Sequence, residues 1–357
     1  MSESSCGFDS HFGHIKNQNL KNMAAILWII VFVVALIALV KGADWLLESS
    51  EKIGLALGMS PFIVGVVIVG AGTSCPELIS SLAAVFKGAT EIVVANAIGS
   101  NIANILLIVG VSAIIGKRLV VTKSLIDLDL PLLSIGTVLL LGIVWDGKVN
   151  FGEAVLLVAT YLIYLLYTVL HKEDEETREM EEIMEVLPSR QERRGHVQNS
   201  RKTKVARPKI GAKDIIILIV GILFLVLGAK YLVDSVVELS SIFNIATGVI
   251  AITAVAIGTS LPELLVSAKA ALNKKSEMAL GNIFGSNVFN ALVVVGVPGL
   301  IKTLNIDSQT LAIGVPTMAL ATLLFVISGI SRRIHIWEGA FYLALYVLFI
   351  AKLFNLF

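Results

Sequence analysis

Charged side chains are scarce in this sequence. Asp, Glu, Lys and Arg make up 15% of the residues and apolar types 56%, whereas an ordinary soluble domain carries about 25% charged residues. The scarcity is concentrated in runs of about 20 apolar residues that show no polar stripe, which is the length of a membrane-spanning helix. The composition therefore excludes an ordinary soluble protein and predicts an all-α integral membrane protein.

Cysteine is almost absent, and a secretory signal is missing. Cys6 and Cys75 are too few for a disulfide framework, so we expect both thiols to be free. Residues 1–23 are polar and lack the basic region, the apolar region and the cleavage site of a signal peptide. The first apolar run is therefore expected to be a retained helix.

The chain contains one repeat used twice. A constant shift of 186 residues aligns its halves without a gap over about 70 residues. The segment Gly72-Thr73-Ser74-Cys75-Pro76-Glu77 aligns with Gly258-Thr259-Ser260-Leu261-Pro262-Glu263, and Gly99-Ser100-Asn101 aligns with Gly285-Ser286-Asn287. This register indicates an internal duplication.

Each half contains five apolar segments. Because five is odd, the second half must enter the membrane from the opposite side, which is the inverted-repeat plan of many secondary transporters. We predict ten transmembrane helices in two inverted five-helix repeats, near residues 24–47, 51–87, 91–116, 125–145, 150–170, 213–237, 243–272, 276–301, 309–330 and 335–354. The predicted domains are a polar N-terminal tail (1–23), a first repeat (24–171), a charged linker (172–212) and a second repeat (213–357).

The distribution of Lys and Arg predicts the orientation. The membrane face that carries the linker 172–212 has more basic residues than the opposite face. By the positive-inside rule the linker is cytoplasmic and both termini are extracytoplasmic. We expect a multi-pass protein of the cell membrane.

The second segment of each half is predicted to be a kinked or broken helix. At about 37 residues, the segment 51–87 is longer than the roughly 30 Å hydrocarbon core requires. Pro76 and Pro262 each remove a backbone donor and release carbonyl groups near the preceding glycines. In lipid such a break persists only where protein, water or an ion satisfies those carbonyls.

One acid stands beside each break. Glu77 and Glu263 are the only acids that we place well inside the apolar segments, where a charge is costly and usually faces a cavity or an ion pathway. The alternative is a pair of protonated acids with a structural role. Their equivalent positions in two repeats favour an ion site.

The neighbouring polar residues carry oxygen. Thr73 and Ser74, with Thr259 and Ser260, precede the two acids, and the third segments add Ser100 and Asn104, and Ser286 and Asn290, each pair four residues apart on one helix face. Ca²⁺ takes six to eight oxygen ligands, while the lack of His or paired Cys disfavours Zn²⁺ and copper. Back-bonding of Ser and Thr to their own helix is the structural alternative.

The two carboxylates suggest a mechanism of exchange. One Ca²⁺ would neutralise their charge, and several Na⁺ could compete for the same oxygens. If both ions cannot bind together and the empty charged site is too costly to reorient, transport becomes obligatory exchange by alternating access at a site near the midplane.

At these residues the chain resembles the cation/Ca²⁺ exchanger superfamily, in its Na⁺/Ca²⁺ exchanger branch and its minimal prokaryotic form. The resemblance spans nearly the whole chain through the duplicated motifs Gly-Thr-Ser-x-Pro-Glu and Gly-Ser-Asn-x-x-Asn. It implies ten helices and a metal-ligand set that comprises Thr73, Ser74, Glu77, Ser100, Asn104, Thr259, Ser260, Glu263, Ser286 and Asn290, with carbonyl ligands at Gly70 and Ala256. Gly70 replaces an alanine that is common in the family.

The resemblance also ranks the coupling ions. Potassium-dependent members tend to carry Asp at one of the positions held here by Asn104 and Asn290, and proton-driven members show a different motif. We therefore expect a Na⁺/Ca²⁺ antiporter, with H⁺/Ca²⁺ or potassium-dependent exchange as alternatives and a cation channel as a further one. The sequence lacks the signatures of intramembrane enzymes. The expected partners are Ca²⁺, Na⁺ and the lipid bilayer, with no cofactor, nucleic acid or obligate protein partner.

Overall fold

The computed structural model describes residues 6–121, 130–170, 210–242 and 260–354. Within these ranges the protein is helical apart from four short strands. Eight helical spans are long and apolar enough to cross a membrane, and the apolar helix Leu130–Asp146 is shorter. The predicted all-helical membrane architecture is confirmed at this level, while residues 243–259, in the predicted seventh segment, lie outside the described ranges.

The first half follows the predicted order of segments. Its helices and strands are α1 (Cys6–Leu57), α2 (Pro61–Ile63), π1 (Val64–Gly70), α3 (Ala71–Thr73), α4 (Cys75–Phe86), α5 (Glu91–Ile102), π2 (Ala103–Val109), α6 (Gly110–Ile115), β1 (Arg118–Val120), α7 (Leu130–Ile143), β2 (Lys148–Val149) and α8 (Phe151–Leu170). The elements named π are π-helical segments.

The second half repeats much of this order. Its described elements are α9 (Ala212–Ile242), α10 (Leu261–Leu272), α11 (Ser276–Phe289), π3 (Asn290–Val294), α12 (Gly296–Ile301), β3 (Leu304–Asn305), π4 (Thr310–Gly314), α13 (Val315–Ile330), β4 (Arg333–His335) and α14 (Ile336–Leu353).

The first helix is longer than predicted at both ends. It is already helical at Cys6, within the predicted tail, and it continues to Leu57. No proline interrupts it, and Gly58 ends it with a positive φ of 72°. The Ser60 hydroxyl then accepts a hydrogen bond from the Ile63 N–H and caps the next helix.

The second span is therefore shorter than predicted. It covers Pro61–Phe86, which is 26 residues, because residues 51–57 belong to α1. The expectation that this segment is too long for an ordinary spanning helix is wrong. Its predicted interruption is present, at Ser74 between α3 and α4.

Two spans form the centre of the molecule. In the span Ser276–Ile301, 89% of the residues in the most apolar 18-residue stretch are buried inside the protein, and in Glu91–Ile115 the share is 72%. In the span Asn22–Leu57 only 17% of the corresponding residues are buried. The second span packs against α11 through direct backbone contact at two glycines. A Cβ at Gly281 would lie 2.4 Å from the carbonyl oxygen of Phe62, and a Cβ at Gly285 would lie 2.4 Å from that of Val66.

α1 and α9 pack as a pair. A Cβ at Gly42 would lie 2.8 Å from the Gly221 carbonyl oxygen, and one at Gly221 would lie 2.9 Å from the Leu46 nitrogen. Gly228 approaches the Leu39 nitrogen in the same way, at 2.9 Å. Small residues of this kind let membrane helices approach closely and gain van der Waals contact.

The four strands form two antiparallel ladders. Each ladder joins a strand of the first half to a strand of the second half. β1 pairs with β4 through Arg118–His335, Leu119–Ile334 and Val120–Arg333. β2 pairs with β3 through Lys148–Asn305 and Val149–Leu304.

Candidate functional site

The two predicted helix breaks have the same backbone conformation. Ser74 has φ −87° and ψ 3°, and Ser260 has φ −90° and ψ 6°. Both values fall in the sparsely populated bridge region between the helical and extended conformations. A helix, α4 or α10, starts directly after each serine with a proline in its first turn. In the first half α3 ends directly before Ser74, so this break comes where the sequence places it.

Glu77 and Glu263 lie in the first turn of α4 and α10. Their side chains are buried, at 0% and 1% exposure. A helix N-terminus favours a negative charge. The Ser74 hydroxyl, at the break of the first half, donates to Glu263 Oε1 at 3.1 Å. This bond brings the two repeats into contact at their acids.

A second group of predicted ligands surrounds the Gly70 carbonyl oxygen. The Ser286 hydroxyl donates to it at 3.3 Å, and Thr73 Oγ1 lies 3.3 Å from it. Thr73 Oγ1 also lies 3.4 Å from Ser286 Oγ and donates to Asn282 Oδ1 at 3.0 Å. The predicted carbonyl ligand of the first half and hydroxyl groups from both halves therefore meet at one place.

The other described candidates are buried without hydrogen-bond partners. Within the described ranges this holds for both carboxylate oxygens of Glu77, for Glu263 Oε2 and for the polar side-chain atoms of Ser100, Asn104, Ser260 and Asn290. Buried polar atoms normally have partners, because an unpaired one is costly. In the described part of the chain a few other buried Ser, Thr and Asn residues also have unpaired atoms, but the carboxylates with unpaired buried oxygens are those of Glu77 and Glu263. Such a donor set fits a bound cation.

Two predicted ligands cannot be placed. Thr259 and Ala256 lie outside the described residues. No hydrogen bond joins Ser100, Asn104 or Asn290 to the other candidates within the described ranges. The hydrogen bonds of the described residues therefore join Ser74 to Glu263, and bring Thr73 and Ser286 to the Gly70 carbonyl.

Both asparagines of the predicted set lie in π-helical segments. Asn104 is the second residue of π2, and Asn290 is the first residue of π3. A π-helical turn is wider than an α-helical one, and short π segments are frequent at functional sites. Amphipathic periodicity does not predict these segments, because the sequence reads as a uniformly apolar helix on either side of each asparagine.

Two asparagines outside the predicted ligand set, Asn96 and Asn282, bond to the helices that carry the acids. The Asn96 amide donates to the Glu77 carbonyl at 3.4 Å and to Ser81 Oγ at 3.2 Å. The Asn282 amide donates to the Glu263 carbonyl at 3.4 Å and to Ser267 Oγ at 2.8 Å.

These two networks are equivalent under the repeat shift, since each asparagine attaches the third span of its half to the acid-bearing helix. The sequence contains a pattern that indicates a role for both asparagines. Polar residues recur every four positions on one helix face, as Asn96, Ser100 and Asn104 in the first half and as Asn282, Ser286 and Asn290 in the second.

The chemistry of the site is that of hard oxygen ligands. It combines carboxylates, hydroxyls, amide oxygens and a carbonyl, which suit Ca²⁺ and similar cations. Among the described residues, no group of three or more His, Cys, Asp and Glu could hold a metal ion. The arrangement can bind cations through two acids and neutral oxygens.

Comparisons with known proteins point the same way. A family model described as sodium/calcium exchanger protein matches residues 27–170 and 213–355. The sodium/calcium exchanger MaX1 of Methanosarcina acetivorans is 32% identical, over 91% of this chain and 98% of MaX1. The inner membrane protein YrbG of Escherichia coli is 30% identical, over 83% of this chain and 87% of YrbG.

A solved structure is similar over the same extent. The sodium-calcium exchanger NCX_Mj, soaked with zero Na⁺ and Ca²⁺, superposes with a TM-score of 0.74 at 30% identity. The match covers 92% of this chain and 99% of that chain. Both halves of the sequence therefore take part in these similarities.

Proposed function

The chain belongs to the sodium/calcium exchanger protein family, and from this premise we propose that it exchanges Na⁺ for Ca²⁺ by alternating access at the buried site of Glu77 and Glu263. It is a transmembrane antiporter, as its family and apolar helices indicate. The observation that carries the proposed site is the bond from Ser74 to Glu263 beside the unpaired Glu77 carboxylate.

The proposed fold has ten transmembrane helices in two inverted repeats. The strand ladders support this symmetry. In the first ladder Arg118 pairs with His335. The repeat equivalent of Arg118 is Leu304 and that of His335 is Val149, and these two residues pair with each other in the second ladder. The amide of Asn101 also donates to the carbonyl of Asn287, its own repeat equivalent, at 3.1 Å. Such contacts are expected around a two-fold pseudosymmetry axis.

We assign the twelve predicted ligands, including Thr259 and Ala256, to the transported ions. One Ca²⁺ balances the two ionised glutamates, and Na⁺ ions compete for the same carboxylates, hydroxyls and carbonyls. Because both acids are buried, an ion-free, charged site is costly to reorient in a low-dielectric environment. Reorientation therefore requires a bound ion, and this requirement couples the two fluxes.

The proposed organisation follows from the sequence. The repeats 24–171 and 213–357 flank a cytoplasmic linker at 172–212, with the tail 1–23 and both termini outside the cell membrane. The ions are substrates, the bilayer is the solvent of the apolar helices, and we propose neither an enzymatic activity nor a cofactor.

The coupling ion is tested in reconstituted vesicles loaded in turn with Na⁺, K⁺ or H⁺. An outward Na⁺ gradient is expected to drive Ca²⁺ uptake without K⁺, whereas a proton gradient alone is not. Uptake that depends on a proton gradient, or that requires K⁺ in addition to Na⁺, would replace the proposed coupling with one of the alternatives. Sustained single-channel currents would replace exchange with a channel.

A further inference from the structure

The α1–α9 pair packs beside the candidate site. A Cβ at Gly72, directly before Thr73 and the break at Ser74, would lie 3.3 Å from the Ile222 side chain of α9 and 3.9 Å from the Leu46 side chain of α1. The two helices also approach each other closely through Gly42 and Gly221. The pair is thus positioned to close the site from one side.

Two lysines attach this pair to α10, the helix that carries Glu263, and to the start of α11. Lys269 Nζ, in the last turn of α10, binds Asp44 Oδ1 and donates to the Val40 carbonyl at 2.6 Å. Lys275 Nζ, directly before α11, binds Glu51 Oε2. Both acids lie on α1. Because the lysines lie in the last turn of α10 and in the connection that follows it, the attachments are located at one end of the molecule, which we call the Lys275 end.

A third ion pair at this end has a different position. Lys52 Nζ binds Asp214 Oδ1 at 2.6 Å, which joins α1 to the start of α9. It lies within the α1–α9 pair and does not connect the pair to α10. Lys52 therefore provides a control for the loss of a charge pair at the same end.

The repeat places no such attachment at the opposite end. Lys269 and Lys275 correspond to Ala83 and Ala89, and Asp44 and Glu51 correspond to Lys230 and Val237. These four residues cannot form the equivalent ion pairs, because alanine and valine carry no charge. These two ion pairs therefore have no repeat equivalent at the opposite end.

We propose that the Lys269 and Lys275 ion pairs form a one-sided latch that holds the α1–α9 pair against α10 and the start of α11 and favours the transport state closed at the Lys275 end. A route from this end to Glu263 between α1 and α10 has to break both pairs. At the opposite end there is no equivalent pair to break. Because the ion pairs stabilise the state closed at the Lys275 end and no equivalent pairs stabilise the state closed at the opposite end, the two states have unequal populations. The inference rests on alternating access as proposed above.

The latch is tested by a distance that does not depend on transport. Spin labels at L55C on α1 and L272C on α10, both exposed residues, report the separation of the helices in a C6S/C75S background. In K269M/K275M the ratio of long to short distances is expected to rise by about twofold to thirtyfold, since the two partly exposed ion pairs contribute about 0.2–1 kcal/mol each. In K52M the ratio should remain near that of the parent protein.

A second measurement connects the latch to transport. In vesicles of known orientation, K269M/K275M should lower the half-saturating Ca²⁺ concentration at the Lys275 end relative to the opposite end, by a similar factor. The reversed pairs D44K/K269D and E51K/K275E should restore the parent values. If the methionine variant does not insert, D44K, which brings two lysines together, takes its place.

The outcomes separate the two proposals. Unchanged label distances in K269M/K275M, or an equal change in K52M, would overturn the latch. A parent protein without Na⁺-driven Ca²⁺ uptake would instead overturn the proposed function, while a response of the label distances would still support the latch.

Discussion

At the scale of single residues, Glu77 and Glu263 occupy equivalent positions but have different hydrogen bonds. Glu263 Oε1 accepts from Ser74, whereas the equivalent Ser260 hydroxyl and both Glu77 oxygens have no partner in the described structure. The position and burial of the acids follow from the repeat and from the break before each proline. The difference between them arises from tertiary contacts across the repeats, which the sequence of either repeat does not contain.

Neutralising either glutamate should abolish exchange. Glu77→Gln and Glu263→Gln each remove half of the charge that balances Ca²⁺, and a loss of only about 1.4 kcal/mol in binding is already tenfold. We expect Na⁺-driven Ca²⁺ uptake to fall by at least about tenfold, while membrane insertion is retained.

The matched control for these two variants is Glu91→Gln, which changes an acid at the start of α5 outside the proposed ligand set. Normal uptake in either site variant, with the Glu91 variant also active, would remove the central claim.

Asn282 should stabilise the acid-bearing helix of the second half. Asn282→Ala leaves the Glu263 carbonyl and Ser267 Oγ without their donor, and a buried group that loses its partner costs about 1–3 kcal/mol. We expect a lower midpoint of thermal unfolding in detergent and a higher half-saturating Ca²⁺ concentration. The exposed Asn305→Ala is the control, and equal effects in both variants would argue against this role.

At the scale of helices, the second span and α11 depend on backbone contact. Gly70 and Gly285 approach so closely that a Cβ at Gly70 would lie 3.0 Å from the Gly285 carbonyl carbon. This approach allows the Ser286 hydroxyl to reach the Gly70 carbonyl. The glycines of this contact thus determine which oxygens meet at the site.

Even a methyl group at Gly285 should disturb this contact. In Gly285→Ala the Cβ would lie 2.4 Å from the Val66 carbonyl oxygen, so the helices must separate, and overpacking of this kind costs about 1–3 kcal/mol. We expect a lower unfolding midpoint together with weaker Ca²⁺ uptake. Gly142→Ala, where a Cβ meets nothing within 4 Å, should behave like the parent protein; if Gly285→Ala does so too, the contact is not needed.

The sequence predicts some helix breaks and boundaries correctly but not others. The break at Ser74 follows from a proline that cannot donate, which is a local effect, and it is confirmed. The end of α1 could not be placed, because residues 48–57 are compatible with either span and Gly58 decides by its positive φ. The π-helical turns at Asn104 and Asn290 likewise depend on packing between spans.

At the scale of the whole molecule, the duplication predicts more than the count of helices. The strand ladders lie between spans, where no motif of the sequence indicates pairing, yet their registers are related by the repeat shift. Their short strands carry too little pattern for a prediction from sequence, since a strand of two or three residues shows no reliable alternation. The ladders are therefore an independent indication of the proposed inverted symmetry.

Inverted symmetry predicts that the two ladders lie on opposite faces of the membrane. Directly opposed residues of an antiparallel ladder have Cα atoms about 4.5–5.5 Å apart, which is within the range for a disulfide. In a C6S/C75S background, the exposed pairs R118C/H335C and K148C/N305C should each crosslink on oxidation. After reduction, a membrane-impermeant thiol reagent should label the first pair from the cytoplasmic side, which carries the linker, and the second from the other side. Labelling of both pairs from one side would contradict the inverted arrangement, because two repeats of the same orientation place equivalent loops on the same face.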